Sequence, residues 1–208
     1  YSTDGQWRVP HFEKMLYDQA ILSKSYLEAY QITGNEEYAR IAREIFEYVL
    51  RDMTGPYGAF YSAEDADSAP DPSQPRKKSE GAFYIWSQDE IVIALGKGKA
   101  DIFNFYYGVQ PNGNAPQDPH GEFKGRNILY AAHSLEETAK RFEKSIDEIS
   151  AILKESKQVL FNIRSKRLRP HLDDKVLTDW NGLMISSLAF GSRVLNEPRY
   201  QDAAKKAE

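Results

Sequence analysis

The sequence predicts a mainly α-helical chain assembled from helical hairpins, and three observations carry that reading. A polar, aromatic-bearing run opens twice into a helix that is apolar on nearly every face. The first is Val9-Pro10-His11-Phe12-Glu13-Lys14-Met15-Leu16-Tyr17-Asp18-Gln19-Ala20 and the second is Asp173-Asp174-Lys175-Val176-Leu177-Thr178-Asp179-Trp180-Asn181-Gly182-Leu183-Met184. Each of these helices is followed by a charge-bearing amphipathic one. The joints also match, Thr33-Gly34-Asn35-Glu36-Glu37-Tyr38 against Leu195-Asn196-Glu197-Pro198-Arg199-Tyr200. Repeated hairpins with buried first members imply a closed or stacked helical layer.

Taken in order, the first helix is expected over residues 11–32, ended by Thr33-Gly34, and its second half (Ile21, Leu22, Tyr26, Leu27, Ala29, Tyr30) is apolar on several faces. The second helix, over 36–51, shows one stripe of Tyr38, Ile41, Ala42, Ile45 and Val49 opposite Arg40, Arg43, Glu44 and Glu47. Residues 58–62 and 81–86 echo each other as short aromatic runs between turn residues, and they read as a paired β-hairpin insertion. The connection from Ser68 to Ser79 carries Pro70, Pro72 and Pro75 and is expected to be long and exposed. Ser87-Gln88-Asp89-Glu90 is a capping box that launches a helix to about Leu95. Residues 110–127, rich in Gly, Pro and Asn, read as irregular and as the lining of an opening. Ser134-Leu135-Glu136-Glu137 is a second capping box, opening a helical stretch to Arg164 with a break near Lys144-Ser145. The last hairpin joins an uncharged stretch, 180–192, to an Ala-striped, charge-rich helix from Arg199.

The bulk numbers narrow the function classes. With 208 residues, 41% hydrophobic and 28% charged, the chain can bury a core and is not predicted to be disordered. A net charge of -4 and a pI near 5.7 give no general attraction to nucleic acid, and Arg76-Lys77-Lys78 is a lone basic loop cluster. Zero cysteines exclude disulfides, thiolate metal sites and a thiol nucleophile, and fit a reducing compartment. The four histidines, His11, His120, His133 and His171, lack metal-site spacing, so no metal is expected. No apolar run reaches the ~20 residues that cross a bilayer, and the start lacks the pattern of a signal peptide. The chain therefore reads as cytoplasmic, with no membrane partner. Both ends look cut, since Tyr1 replaces an initiator Met and the last helix ends without a Gly or Asn cap, which predicts a piece of a longer protein.

Three constellations carry candidate chemistry. His11, Lys14 and Asp18 share a helical face by i, i+3 and i+4 spacing and either form a proton-transfer group or an ion-pair lattice, while Glu13 complements the helix dipole. Glu64, Asp65 and Asp67 place three carboxylates in four residues, which suits a general acid or a sugar-hydroxyl acceptor if they converge. The same spacing also suits a hard cation or a solvated turn. Asp173, Asp174 and Lys175, with His171 just upstream, precede Asp179, Trp180 and Asn181, where Thr178 or Asp179 caps the helix and Trp180 offers a flat face to a pyranose. The competing reading closes the loop with an Asp174–Lys175 pair and puts Trp180 in the core. Gly182 inside the helical pattern, costly by about 1 kcal/mol, points to close backbone approach. Trp7, Trp86 and Trp180 lie near the polar clusters in sequence, a combination that sugar-binding clefts use. His120 and His133 read as lone surface residues. No phosphate loop, nucleophile elbow or dinucleotide turn is present, so no cofactor is expected.

These residues resemble the helical C-terminal region of the highly conserved thioredoxin-domain-containing family, which includes the spermatogenesis-associated thioredoxin-like proteins. The resemblance is carried by Tyr1-Ser2-Thr3-Asp4, Trp7, the run from Val9 to Ala20, Ala63-Glu64-Asp65-Ala66-Asp67-Ser68, Glu80-Gly81-Ala82-Phe83-Tyr84-Ile85-Trp86 and the run from Asp173 to Met184, and it spans the chain. It implies an (α/α)6 toroid like that of N-acylglucosamine epimerases and six-hairpin glycosidases. The chain holds about half the helices such a ring needs, so it is expected to be a partial domain whose partners are the missing hairpins and the thioredoxin-like domain. The expected function is binding or modification of a carbohydrate-like ligand, with His11, Asp18, Asp65, Asp67 and Asp174 as catalytic candidates. Trp7, Lys14, Glu64, Trp86, His171, Lys175, Asp179, Trp180 and Asn181 are the binding candidates. The rival expectation is a non-catalytic helical scaffold.

Overall fold

The polar run before the first helix does not wind into it. In the computed structural model, which describes residues 1–115, 121 and 123–208, Lys14 and Met15 are extended and the helix begins only at Leu16. Among the described residues the order is β1 (Lys14–Met15), α1 (Leu16–Thr33), α2 (Glu36–Asp52), β2 (Ala63–Glu64), β3 (Asp67–Ser68), β4 (Ser79–Glu80), α3 (Gln88–Leu95), α4 (Lys97–Tyr106), α5 (Leu135–Phe142), α6 (Ile146–Arg164), β5 (Leu172–Asp173), α7 (Thr178–Leu195) and α8 (Pro198–Ala207). The fold is mainly helical with small sheets. It divides into two compact units, one of Tyr1–Phe12 with Asp67–Pro170, the other of Glu13–Ala66 with His171–Glu208.

The second of these, the hairpin unit, contains both hairpins that the repeat predicts. α1 packs on α2 and α7, and α7 packs on α8. The equivalent joint positions Gly34 and Asn196 are both left-handed, with φ of 68° and 55°, which is how each first helix turns into its partner. Of the predicted α2 stripe Ala42 and Val49 are buried, joined by Ala39 and Phe46, while Tyr38, Ile41 and Ile45 are half-buried beside them. Phe46 lies against Tyr200, and Leu16, Leu27, Met184 and Leu188 complete the buried cluster. Full burial of each such side chain contributes about 1.5–3 kcal/mol. The close backbone approach occurs at Gly191, where an added Cβ would lie 2.4 Å from Phe46 Cε2. At Gly182 it would meet nothing, contrary to the expectation for that residue.

Neither α1 nor α7 is buried all round. Ile21, Leu22 and Leu183 are 52%, 48% and 44% exposed, because the neighbouring helices cover only part of each circumference. The late start of α1 has a cause as well. β1, β2 and β5 form a three-stranded antiparallel sheet in the order β1-β2-β5, so the backbone at Lys14 and Met15 satisfies its hydrogen bonds across the sheet, opposite Glu64 and Ala63. His11, Lys14 and Asp18 therefore do not share a helical face.

The other unit holds α3 to α6. Three capping boxes, Ser87 with Glu90, Ser134 with Glu137 and Ser145 with Glu148, start α3, α5 and α6, and Glu143 in a left-handed conformation makes the break between α5 and α6. α4 was hidden in the sequence by Gly96 and Gly98; Gly96 ends α3 and precedes the first turn of α4. Trp86, Ile91, Phe103, Ile149 and Leu160 form the core.

The predicted pairing of residues 58–62 with 81–86 does not occur. The hairpin is β3–β4, with Asp67 opposite Glu80 and Ser68 opposite Ser79, while Phe60 bridges to Thr54 and Trp86 bridges to Asn127. Side-chain amides substitute for regular pairing in the irregular stretch. Asn127 accepts from Gln110 N–H and donates to the Trp86 and Gln110 carbonyls, and Asn114 spans Gly108 and Ile128. His120 lies outside the described residues.

Candidate functional site

In the hairpin unit the two polar thresholds become neighbours. β1 leads straight into α1, and β5 leads through Asp174–Leu177 into α7, so a sheet with β2 at its centre sets both helix starts beside each other. The contact that records this is between the first turns: the Tyr17 and Trp180 rings meet edge to face with centroids 4.9 Å apart. Both helices begin without a side-chain cap, behind Met15 and Leu177, and each carries one aspartate in its first turn, Asp18 and Asp179. Thr178 and Asp179 do not cap α7, because they already lie inside the helix; Asp179 Oδ1 accepts from Trp180 N–H at 3.0 Å.

Around this junction the side chains divide by role. Asp18 is half-buried and makes no hydrogen bond or ion pair with the described residues, and Asp174 is exposed and equally unengaged. Lys14 stands directly opposite Glu64 across the sheet. Glu64 is 2% exposed and accepts a 2.6 Å hydrogen bond from Tyr48 Oη. Lys175 pairs with Asp173 at 2.7 Å and not with Asp174, and this hydrogen bond holds the Asp173 carboxyl below its ordinary range. Asp65 donates its backbone N–H to the His171 carbonyl, which ties β2 to β5 and leaves the His171 side chain exposed. Asn181 is buried and fully used: it accepts from Phe60 N–H at 2.8 Å and donates to the Phe60 and Leu177 carbonyls at 2.9 and 3.0 Å. Its amide is a structural clamp.

The remaining candidates lie in the other unit. His11 Nδ1 is 2.8 Å from Glu80 Oε1, its ring stacks on Tyr1, and Phe12 N–H donates to the same Glu80 oxygen. Glu80 in turn faces Asp67 across β3–β4, so His11 and Asp67 share Glu80 as their neighbour. Gly81 permits this arrangement, since a Cβ there would lie 2.6 Å from the Phe12 ring. Trp7 is 82% exposed in a left-handed turn, whereas Trp86 is 2% exposed beneath the Arg167 guanidinium at 4.0 Å, in the core and not offering a ring face to solvent. Of the three carboxylates Glu64 is buried and Asp65 and Asp67 are half-buried; Glu64 belongs to the β1-β2-β5 sheet, whereas Asp67 pairs with Glu80 in β3–β4.

Tyr17, Tyr48 and Glu80 were not among the sequence candidates. The repeat of aromatic residues at the two helix starts signals Tyr17, and the Glu80-Gly81 dipeptide signals Glu80; nothing in the spacing singles out Tyr48. Among the described residues no group of three His, Asp or Glu side chains gathers in a metal-binding arrangement, and no helix is long and apolar enough to cross a membrane.

No protein-family model matches the chain. It is 43% identical over 210 residues to spermatogenesis-associated protein 20 of Homo sapiens, covering 96% of the chain and 26% of the relative. To the Mus musculus protein of that name it is 44% identical over 200 residues, covering 91% and 25%. An uncharacterised Caenorhabditis elegans protein is 38% identical over 216 residues, covering 99% and 29%. The chain thus spans about a quarter of the length of the curated relatives it matches. A cellobiose 2-epimerase from Bacillus thermoamylovorans aligns with 97% of this chain and 61% of its own at 10% identity; the TM-score of 0.28 is too low to carry a fold assignment.

Proposed function

We propose that the junction of α1 and α7 binds a carbohydrate-like ligand, and that the helical hairpins are part of an (α/α)6 toroid. The observation that supports this is the meeting of the two polar thresholds at Tyr17 and Trp180. Aromatic rings at helix starts that also carry carboxylates without a hydrogen bond or ion pair among the described residues are the combination a sugar requires, since apolar ring faces stack while Asp18 and Asp174 accept hydroxyl protons. Lys14, Asp179, Lys175 and His171 supply further polar contacts at the same helix starts and strand ends. For the whole protein the proposal is an isomerase-, epimerase- or glycoside-hydrolase-like activity. In the first two a positioned base takes a proton beside a carbonyl; in the third two carboxylates act as acid and base. A cytoplasmic location and an accompanying thioredoxin-like domain belong to the same proposal.

The test is calorimetry with a panel of mono- and disaccharides. Wild type is expected to bind at least one, Asp18→Asn and Trp180→Ala to weaken binding at least tenfold, and Arg40→Ala, on the exposed face of α2, to leave it unchanged. Binding by no sugar, or unaltered binding in Trp180→Ala, contradicts the proposal. A second reading, a non-catalytic scaffold, is favoured by Glu64 and Asn181, whose polar atoms serve the fold. Under it, substitutions at Asp18 and Asp174 change neither stability nor any ligand response.

A further inference from the structure

The unit of α3 to α6 carries a groove of about 540 Å³ with an unequal charge balance, on a chain whose net charge is negative. Among the described residues four cationic side chains, Lys124, Arg126, Lys166 and Arg167, line it against one carboxylate, Glu90. Its apolar walls come from Phe83, Ile85, Ile163 and Leu168, the last two each 38% exposed.

The cations are not equivalent. Arg167 is fixed: its Nη1 donates to the Phe83 and Ile85 carbonyls at 3.0 and 2.7 Å while its guanidinium lies over Trp86. Arg126 is held by Glu90 at 2.6 Å, and Glu90 is itself positioned by the capping box of α3. Glu90 therefore anchors the guanidinium of Arg126 and lies 3.6 Å from that of Arg167, and it has no capacity to neutralise two lysines as well. Lys124 and Lys166 are exposed and make no ion pair with the described residues. Burial pushes the Arg167 guanidinium below its ordinary range against the opposing pull of Glu90, with smaller contributions from Arg126 and Arg164.

We propose that this groove binds a small organic phosphate monoester, its dianion held by Lys124, Lys166 and Arg126 and its organic part against Phe83 and Ile85. A dianion matches the excess charge better than a monocarboxylate, because a phosphate monoester carries about −1.5 to −2 at neutral pH. Fixed guanidinium forks suit phosphate oxygens, and the size lies within the range of small-molecule pockets, roughly 300–1,000 Å³. This proposal stands apart from the carbohydrate reading, which rests on other residues.

The experiment is a titration of the 208-residue chain with phenyl phosphate, inorganic phosphate, benzoate and phenol, read by heteronuclear NMR. Phenyl phosphate is expected to bind most tightly, with shifts at Lys124, Lys166, Phe83 and Ile85. Its Kd should rise at least tenfold in the Lys124→Ala/Lys166→Ala variant and rise with salt. Both substitutions are at exposed positions, and an unchanged melting temperature verifies the fold. Equal binding of phenyl phosphate and phenol, stronger binding of benzoate, or an unaltered Kd in the double variant overturns the proposal.

Discussion

The Tyr17 and Trp180 rings meet edge to face with centroids 4.9 Å apart, and the two residues belong to the first turns of helices separated by more than a hundred residues of sequence. The pair records the convergence of the two helix starts, at the end of an α1–α7 interface that also includes the buried Ser23–Ser187 hydrogen bond of 2.8 Å. Trp180→Ala is expected to lower stability by about 1–2 kcal/mol, less than the ~3–5 kcal/mol of a fully buried aromatic truncation, since Trp180 is half-buried. Trp180→Phe should recover most of it. Urea denaturation of both variants measures the difference.

Gly191 is where α7 lets Phe46 of α2 approach. Gly191→Ala would place Cβ 2.4 Å from Phe46 Cε2, so one of the two must move, at a cost of about 1–3 kcal/mol. Phe46→Leu in the same chain should relieve part of the clash, giving a double variant more stable than the two single losses combined. Thermal denaturation of the cycle distinguishes this from strict additivity.

Asn181 is predicted to be a stability residue. Asn181→Leu strands the Phe60 N–H and two carbonyls in a buried setting, costing on the order of 3 kcal/mol when these groups lose their partners together. The amide protons of Phe60 and its neighbours should exchange faster in that variant, and a sugar titration scaled to the folded fraction should be unaltered.

Asp4 governs the N-terminal loop through charge. Its carboxylate accepts from the N–H groups of Val9, Arg8 and Gln6, which hold it at about 2 against an ordinary 3.8. A group depressed in the folded state contributes its full stabilisation above the unfolded value and loses it as pH falls through the folded one. The amide signals of Gln6, Arg8 and Val9 are therefore expected to keep their native positions above about pH 4 and to move toward random-coil values as pH falls to about 2. Asp4→Asn should show the loosened loop at neutral pH, with no titration in that range.

The hairpins were legible because periodicity and turn residues state them openly: the Gly34 and Asn196 joints match, the capping boxes at Ser87 and Ser134 start helices at the expected residues, and the expected break near Lys144-Ser145 is where a third box starts α6. Two-residue strands were not legible. An alternating pattern needs several residues to register, so Lys14–Met15 passed for helix and the aromatic residues 58–62 passed for strand. α4 was hidden by Gly96 at its boundary and Gly98 in its first turn. Of the candidate site, the echo of Tyr17 and Trp180 was present in the repeat, whereas the engagement of Glu64 by Tyr48 and of His11 by Glu80 depends on contacts across long sequence separations.

The most direct test of the carbohydrate reading is the indole N–H resonance of Trp180 during titration with the saccharide panel, with the indole of buried Trp86 as internal reference. Saturable movement of the Trp180 signal is expected, accompanied by Tyr17 and Asp18, while Trp86 stays still. Saccharides that leave Trp180 unmoved, or that move both indoles equally, contradict it.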